Sequence, residues 1–158
     1  LRLDSKADGV AQKLGKLYYS KQDWQAAVLA FKKALLLNPK DAESHRLVAQ
    51  LMARFGRKEE TRKHFEAALE HDPQNALAHF GFAALLESSH EEAAAVWHYR
   101  KGLSVQPGNH LAKNNLAWIL ATSADESVRA PKAGLRLARE LNAATSDKVP
   151  NILDTLSG

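Results

Sequence analysis

The sequence contains no cysteine and no long uninterrupted apolar run. Without cysteine the chain can form neither a disulfide framework nor a thiolate metal site. No segment approaches the roughly 18 apolar residues that a membrane-spanning helix needs, and no basic-then-apolar leader stands at its start. Hydrophobic residues make up 45% of the chain and charged residues 25%, a composition typical of a folded, soluble domain.

Enzyme signatures are also missing from the sequence. It has no glycine-rich phosphate loop, no Gly-x-Ser-x-Gly elbow and no His-Glu-x-x-His pair. The adjacent Glu91 and Glu92 suit the start of a helix, where acidic side chains favour the helix dipole. The lysines are not interleaved with the aromatic residues that stack on nucleic-acid bases. We therefore expect no catalytic residue, no cofactor, no metal, no nucleic-acid partner and no insertion into a membrane.

What the chain does contain is a repeat of 34 residues. Pro39, Pro73 and Pro107 follow one another at this interval. The same interval aligns apolar, small, bulky and aromatic columns over most of the chain. These columns are Leu14, Val48, Phe82 and Leu116; Gly15, Ala49, Ala83 and Ala117; Tyr18, Met52, Leu86 and Leu120; and Phe31, Phe65 and Tyr99.

Within each repeat the pattern predicts two short helices. Apolar residues recur at intervals of three and four, the helical period. Gly56 suits a left-handed cap after a first helix. At the end of each repeat, the segments 38–41, 72–75 and 106–109 combine a proline with an Asp or Asn that can cap the next helix. Gly15 is small enough for two helices to approach closely. No stretch shows the alternation of a strand.

These residues resemble the tetratricopeptide repeat (TPR) family: Leu14-Gly15-x-x-Tyr18, Ala27-x-x-x-Phe31 and Pro39 stand at the motif's spacing. The resemblance implies an all-α, right-handed superhelical solenoid of antiparallel helix pairs. In this frame a single domain covers 1–158. It would have full repeats at 8–41, 42–75 and 76–109, the tail of a preceding repeat at 1–7, a fourth repeat with an enlarged turn at 110–149, and the start of a fifth helix pair at 150–158.

Segments 114–118 and 153–156 resemble the closing part of TPR arrays in many bacterial proteins. This resemblance implies a bacterial source and leaves the compartment open between cytoplasm and periplasm. We interpret the chain as part of a longer array, because polar caps of the kind that close solenoids are not evident at either end.

In this family the first helix of each repeat lines a concave groove. The corresponding positions predict a protein- or peptide-binding surface that changes from basic to apolar along the chain. It would suit a partner with acidic residues at one end and apolar residues at the other. The predicted contact residues are Gln12, Lys16, Arg46, Gln50, Arg54, Leu77, Phe80, Asn114, Asn115 and Trp118.

Two known binding modes of the family are not predicted. Chaperone-binding members hold a terminal carboxylate with Lys, Asn and Arg, whereas the matching positions here are Gln12, Lys16, Leu47, Leu77 and Gly81. Asn115 matches the asparagine ladder of O-linked N-acetylglucosamine transferases. Its counterparts Lys13, Leu47 and Gly81 do not, so a ladder is not expected.

Other features leave alternatives open. His45 and His79, like His64 and His98, stand one repeat apart, but half-buried histidines explain them better than a metal site without a third ligand. Leu29 and Trp97 would be exposed if their positions on the second helix face outward, and they could then contact another copy or another domain. The alternative is that they pack at the base of a neighbouring repeat.

The leading hypothesis is a non-enzymatic interaction scaffold. The alternatives are the substrate-recruiting or regulatory region of a larger enzyme, such as a transferase, and an architectural self-assembling array.

Overall fold

The computed structural model describes the backbone of residues 5–145 and the side chains of residues 9–143. This part of the chain is all-α, with eight helices and no strand. The helices are α1 (Ser5–Ser20), α2 (Trp24–Leu37), α3 (Ala42–Arg54), α4 (Lys58–His71), α5 (Ala76–Ser88), α6 (Glu92–Val105), α7 (His110–Thr122) and α8 (Pro131–Thr145). Within the described residues, none of these helices is both long enough and apolar enough to cross a bilayer.

The helix boundaries repeat with the period of the sequence. The helices α2, α4 and α6 begin at Trp24, Lys58 and Glu92, which are 34 residues apart. The odd-numbered helices α1, α3, α5 and α7 are called first helices below, and the even-numbered ones second helices. Each first helix is joined to the following second helix by three residues, except that residues 123–130 separate α7 from α8. The helix α8 begins at Pro131, where the fixed ring of proline suits a first helical turn.

Caps at the start of the first helices follow the predicted pattern. The Asp41 Oδ1 atom accepts hydrogen bonds from the backbone N–H groups of Glu43 and Ser44 at 3.2 and 3.3 Å. Asn75 and Asn109 accept in the same way from the N–H groups of Ala78 and Ala112. These side chains satisfy donors that have no partner within their own helix.

The three short turns share a left-handed residue. Gln22, Gly56 and His90 have φ angles of 60°, 71° and 61°. The prediction for Gly56 is confirmed. In each turn the following N–H group bonds back to a carbonyl five residues earlier, as from Arg57 to Met52 at 2.9 Å. This is a Schellman ending, which satisfies carbonyls at the end of the first helix.

The chain divides into an N-terminal unit, residues 1–81, and a C-terminal unit, residues 82–158. In the N-terminal unit α2 packs against both α1 and α3, and the core contains Ala27, Phe31, Val48, Leu51 and Met52. Gly15 allows the closest approach of α1 to α2. A Cβ atom added there would lie 2.6 Å from the Phe31 ring.

In the C-terminal unit α7 packs against α6 and α8. A Cβ atom at Gly134 of α8 would lie 2.7 Å from the Ala117 carbonyl oxygen, so this helix crossing also requires glycine. In the longer turn the buried Ser123 hydroxyl donates to the Glu92 carboxylate and accepts from the Asp125 N–H at 3.1 Å. These bonds hold the start of the turn against α6.

Two expectations at the ends of the chain are affected by these boundaries. The helix α1 begins at Ser5, so residues 5–7 belong to the first described helix. Residues 1–4, the rest of the predicted tail of a preceding repeat, lie outside the described residues. So does 150–158, where the start of a fifth helix pair was predicted.

Candidate protein-binding surface

The centre of the predicted basic surface holds an acidic residue that sequence reasoning missed. The Glu43 carboxylate accepts two hydrogen bonds from the Arg46 guanidinium, both at 2.8 Å, and lies 3.6 Å from the Lys16 ammonium. Hydrogen bonding to Arg46 is the main reason that the pKa of Glu43 is lowered, with the charges of Arg46 and Lys16 adding to the effect. The spacing of three residues between Glu43 and Arg46 is the sequence signal for this pair.

Arg46 is therefore a buried cation that is paired with Glu43. Its side chain is only 8% exposed, and its Nη1 atom also donates to the Gln50 Oε1 atom at 3.0 Å. The sequence predicted Arg46 as a contact residue for a partner. The structure places its guanidinium beneath the surface, where it orients Glu43 and Gln50.

The remaining polar residues of the N-terminal unit lie nearer to solvent. Gln12 donates to the Asp41 Oδ2 atom at 2.8 Å, which links α1 to the cap of α3. The exposed Arg54 places its guanidinium carbon 4.5 Å from the centre of the Trp24 ring. This is a cation–π distance, so Arg54 is oriented while it keeps its charge at the surface.

Two predicted apolar contact residues lie at the start of α5, in the same unit. Leu77 is exposed and Phe80 is half-buried. The neighbouring Gly81 has the ring of Phe65 against it, since an added Cβ atom would come within 2.4 Å of that ring. The N-terminal unit thus presents apolar Leu77 and Phe80 in addition to the exposed cations Lys16 and Arg54.

In the C-terminal unit, Asn115 belongs to a partly buried chain of hydrogen bonds. Its Nδ2 atom donates to the Tyr99 hydroxyl at 3.0 Å, and that hydroxyl donates to the Glu87 carboxylate at 3.0 Å. Burial is the main cause that raises the pKa of Tyr99 well above its usual range, so this hydroxyl stays protonated. Asn115 is therefore held in one orientation by Tyr99.

The exposed face of α7 combines apolar and amide side chains. Leu111 and Trp118 are both exposed, seven residues apart, which places them about 10 Å apart along the helix. Asn114 lies between them and is half-buried. Together Leu111, Asn114 and Trp118 form what we call the α7 face.

The contacts of the histidines do not join residues that are one repeat of 34 residues apart. The Nδ1 atoms of His45 and His64 lie 3.0 Å apart, and the His45 Nε2 atom donates to the Pro39 carbonyl at 3.0 Å. His79 makes the equivalent contact to Pro73 at 3.1 Å. Among the described residues, no group of three or more metal-ligating side chains has a geometry that could hold a metal.

Leu29 and Trp97, for which the sequence left exposure open, are both exposed. The Trp97 ring has the Lys101 ammonium 5.4 Å from its centre and the ring of His98 at 4.7 Å. Trp97 is thus an exposed aromatic residue on α6, in the same unit as Trp118 of α7.

Comparisons with known proteins agree with this architecture. Residues 10–41 match the family model described as tetratricopeptide repeat. No curated protein sequence gives a significant match. Many solved structures do.

The first TPR domain of Spaghetti (RPAP3), solved with the HSP90 peptide SRMEEVD, is 19% identical with a TM-score of 0.69, and the match covers 73% of this chain and 92% of that one. YrrB, described as a TPR protein with an unusual peptide-binding site, is 17% identical with a TM-score of 0.71, covering 91% and 72%. The O-GlcNAc transferase of Thermobaculum terrenum is 21% identical with a TM-score of 0.79, covering 95% of this chain and 29% of that one.

The helix pairs, the matched segment and these structural likenesses lead to one conclusion: residues 10–41 match the tetratricopeptide repeat, and the described part of the chain has a TPR-like, all-α helical-repeat fold.

Proposed function

We propose that the chain is a non-catalytic interaction module that binds a peptide or a segment of a protein along its first helices. The observation that carries this proposal is the α7 face, where Leu111 and Trp118 expose apolar surface on either side of the amide of Asn114. Apolar side chains supply binding energy, and a polar group between them fixes the position of the partner. TPR-like structures solved with a bound peptide or described by a peptide-binding site support the same role.

The N-terminal unit contributes a different chemistry. Lys16 and Arg54 are exposed cations, while Leu77 and Phe80 add apolar surface. A partner with acidic residues near Lys16 and Arg54 and apolar residues elsewhere would suit these side chains. Because the positions that match the chaperone-type clamp hold Gln12, Lys16, Leu47, Leu77 and Gly81 instead of the clamp residues, we do not propose the terminal-carboxylate mode for this surface.

The test uses tryptophan substitutions that are matched within one unit. Peptides selected from a displayed random library would be measured against the wild-type chain, Trp118→Ala and Trp97→Ala. The two side chains are 48% and 52% exposed, so they differ mainly in the helix that carries them. We expect Trp118→Ala to weaken binding about tenfold or more, the cost of losing a buried aromatic contact, and Trp97→Ala to leave it unchanged.

The N-terminal unit is tested in the same assay with Phe80→Ala, which should also weaken binding while circular dichroism shows unchanged helicity. Equal binding by wild type and Trp118→Ala, or an equal loss with Trp97→Ala, would contradict the proposed surface. In either case the peptide would bind elsewhere on the chain.

A second candidate function is recruitment of substrates to a larger enzyme. The likeness to the O-GlcNAc transferase favours it, since the chain corresponds to only 29% of that protein. Fusion of the chain to a heterologous modifying enzyme would test it. Peptides that bind the α7 face should then be modified faster than unbound peptides, and Trp118→Ala should abolish the difference.

A further inference from the structure

Gln50 of α3 has an amide group whose orientation is determined by its neighbour Arg46. The Arg46 Nη1 atom donates to the Gln50 Oε1 atom at 3.0 Å. A guanidinium has donors and no acceptor, so only the oxygen end of the amide can face it. The Nε2 end of Gln50, which carries two N–H groups, is therefore directed away from Arg46. Because Gln50 is half-buried, this donor is within reach of a partner.

Arg46 is itself held in place by Glu43. The Nε and Nη2 atoms of Arg46 both donate to the Glu43 carboxylate at 2.8 Å, and the Arg46 side chain is only 8% exposed. A bidentate pair of this kind fixes the plane of the guanidinium. All three residues belong to α3, which follows α1 and α2 and precedes α4 in the N-terminal unit. The orientation of Gln50 thus depends on contacts within one helix that has other described helices before and after it.

The groups around Gln50 carry more positive than negative charge. Arg46 and Lys16 share one carboxylate, that of Glu43, which lies 3.6 Å from the Lys16 ammonium. The exposed Arg54 follows Gln50 by four residues and so lies one turn further along the same side of α3. A partner group beside Gln50 would therefore meet an excess of cations, which favours a carboxylate over an amide or an ammonium group.

Asp41, at the start of α3, does not offset this charge at Gln50. It precedes Gln50 by nine residues, which is about 13 Å along the helix. Its carboxylate caps the helix by accepting from the N–H groups of Glu43 and Ser44, and it also accepts from Gln12. The negative charge of Asp41 is thus used at the far end of α3.

We propose that Gln50 is a specificity-determining residue that donates from its Nε2 group to the carboxylate of a Glu or Asp side chain of the partner. Arg46 is a positioning residue that acts through Gln50, and Glu43 holds Arg46. This inference rests on the proposed function, because it assigns the chemistry of one contact within the same surface. A hydrogen bond to a charged acceptor is stronger than one to a neutral acceptor, so this contact distinguishes an acidic residue from its amide.

The first experiment compares the peptides that wild type, Gln50→Glu and Gln25→Glu select from one displayed random library. Gln50→Glu keeps an oxygen towards Arg46 and replaces the donor by a second oxygen. Gln25→Glu is the matched control, since it adds the same charge at an exposed position of α2. Peptides selected by the wild type should be enriched in Asp and Glu over the unselected library. This enrichment should be lost with Gln50→Glu and kept with Gln25→Glu.

The second experiment uses one peptide that the wild type selected, together with counterparts in which each Glu or Asp is changed in turn to Gln or Asn. In titration calorimetry the acidic peptide should bind the wild type about tenfold more tightly than at least one of these counterparts. With Gln50→Glu this preference should reverse. The amide of the peptide can donate to the new carboxylate, whereas the acid of the peptide is repelled by it.

Arg46→Lys tests the positioning role without a change of net charge. Lysine lacks the planar fork that holds Glu43 and Gln50 at the same time. The ratio of the two affinities, for the acidic peptide and for its amide counterpart, should therefore shrink towards one. A purely structural role of Arg46 would instead weaken both peptides by the same factor. Circular dichroism checks that the helicity of each variant is unchanged.

Three results would overturn the assignment of Gln50. The first is that wild type selects peptides without enrichment in acidic residues. The second is the same ratio of affinities in wild type and Gln50→Glu. The third is an equal loss of acidic residues with Gln25→Glu, because the selection would then follow the overall charge. An unchanged ratio in Arg46→Lys would overturn its positioning role. Failure of the wild type to select any peptide is a different outcome, since it would refute the proposed function itself.

Discussion

At the scale of single residues, the three short turns use the same backbone conformation with different side chains. Gly56 adopts its left-handed angle without steric cost, whereas Gln22 and His90 adopt it with a side chain present. For an L-residue this conformation costs about 1–2 kcal/mol, because the Cβ atom approaches the following carbonyl oxygen. Sequence reasoning found only the glycine, since Gln and His give no comparable signal.

We therefore predict opposite effects on the two kinds of turn. Gly56→Ala should lower the free energy of unfolding by about 1 kcal/mol, and His90→Gly should raise it by up to about that amount. Gly108→Ala is the matched control, since Gly108 lacks a left-handed angle and nothing lies near its added Cβ atom. Urea denaturation measures all three variants, and a loss at Gly108 equal to that at Gly56 would contradict the strain argument.

The burial of His64 beside His45 makes stability depend on pH. Burial is the main cause that lowers the pKa of His64 from 6.5 to about 4. The positive charges of His45, Lys32 and Lys63 add to it, and Glu60 acts in the opposite direction. The folded chain thus favours the neutral imidazole, while the unfolded chain takes up a proton near pH 6.5.

This difference in protonation between the folded and unfolded states determines whether stability rises or falls with pH. Between pH 6.5 and 4 the unfolded state binds more protons at His64, so the stabilisation that is present above pH 6.5 should decrease as the pH falls through that window. His64→Gln should reduce the slope of stability against pH in thermal unfolding experiments. His110→Gln, at an exposed site on α7, is the control, and an equal change of slope in both variants would refute the assignment.

At the scale of the helices, the two glycines of α1 distinguish the effect of side-chain packing on stability from the effect of helix propensity. Gly15 faces the fully buried ring of Phe31, whereas an added Cβ atom at Gly9 meets nothing within 4 Å. The sequence predicted a close approach of two helices at Gly15. The structure shows that the nearest atoms belong to Phe31, because the aromatic column of the repeat lies directly against the small one.

The same substitution should thus have opposite signs within one helix. Gly15→Ala should destabilise the chain by about 1–3 kcal/mol, since the buried ring has no space to move. Gly9→Ala should stabilise it by about 0.5–1 kcal/mol, because alanine favours the helix. Chemical denaturation with circular dichroism measures both. Stabilisation by Gly15→Ala would show that the α1–α2 contact is looser than described.

Much of the helical architecture was predictable because its signals are local. Prolines, capping residues and the 34-residue interval determine where helices begin and end, and the predicted caps agree with the structure. The candidate surface was less predictable, because side-chain partners depend on packing between helices. Sequence reasoning treated Arg46 as a free cation and missed Glu43 beside it, and it could not link Asn115 to Tyr99, 16 residues earlier.

At the scale of the whole molecule, the net charge is concentrated in one unit. Residues 1–81 contain 14 Lys and Arg against 10 Asp and Glu, while residues 82–158 contain eight of each. The whole excess of +4 therefore belongs to the N-terminal unit. The two units should contribute to binding through different forces, electrostatic attraction in one and apolar burial in the other.

This separation predicts two responses to salt, one for a peptide bound by the N-terminal unit and one for a peptide bound at the α7 face. Raising sodium chloride from about 0.05 to 0.5 M should weaken the wild type, because screening acts on exposed charges. Lys16→Gln with Arg54→Gln should bind less tightly at low salt and depend less on salt. Trp118→Ala should lose the same factor at both concentrations. Titration calorimetry distinguishes these cases, and an unchanged salt dependence in the double variant would contradict the electrostatic role.

The stacking of Arg54 on Trp24 also provides an optical probe of the N-terminal unit. The chain has three tryptophans, and only Trp24 lies in that unit, next to a cation of the candidate surface. With Trp97 and Trp118 replaced by Phe, the indole emission would come from Trp24 alone. A ligand that draws the guanidinium away from the ring would change the intensity and wavelength of this emission, so binding near Arg54 could be followed in real time without a label.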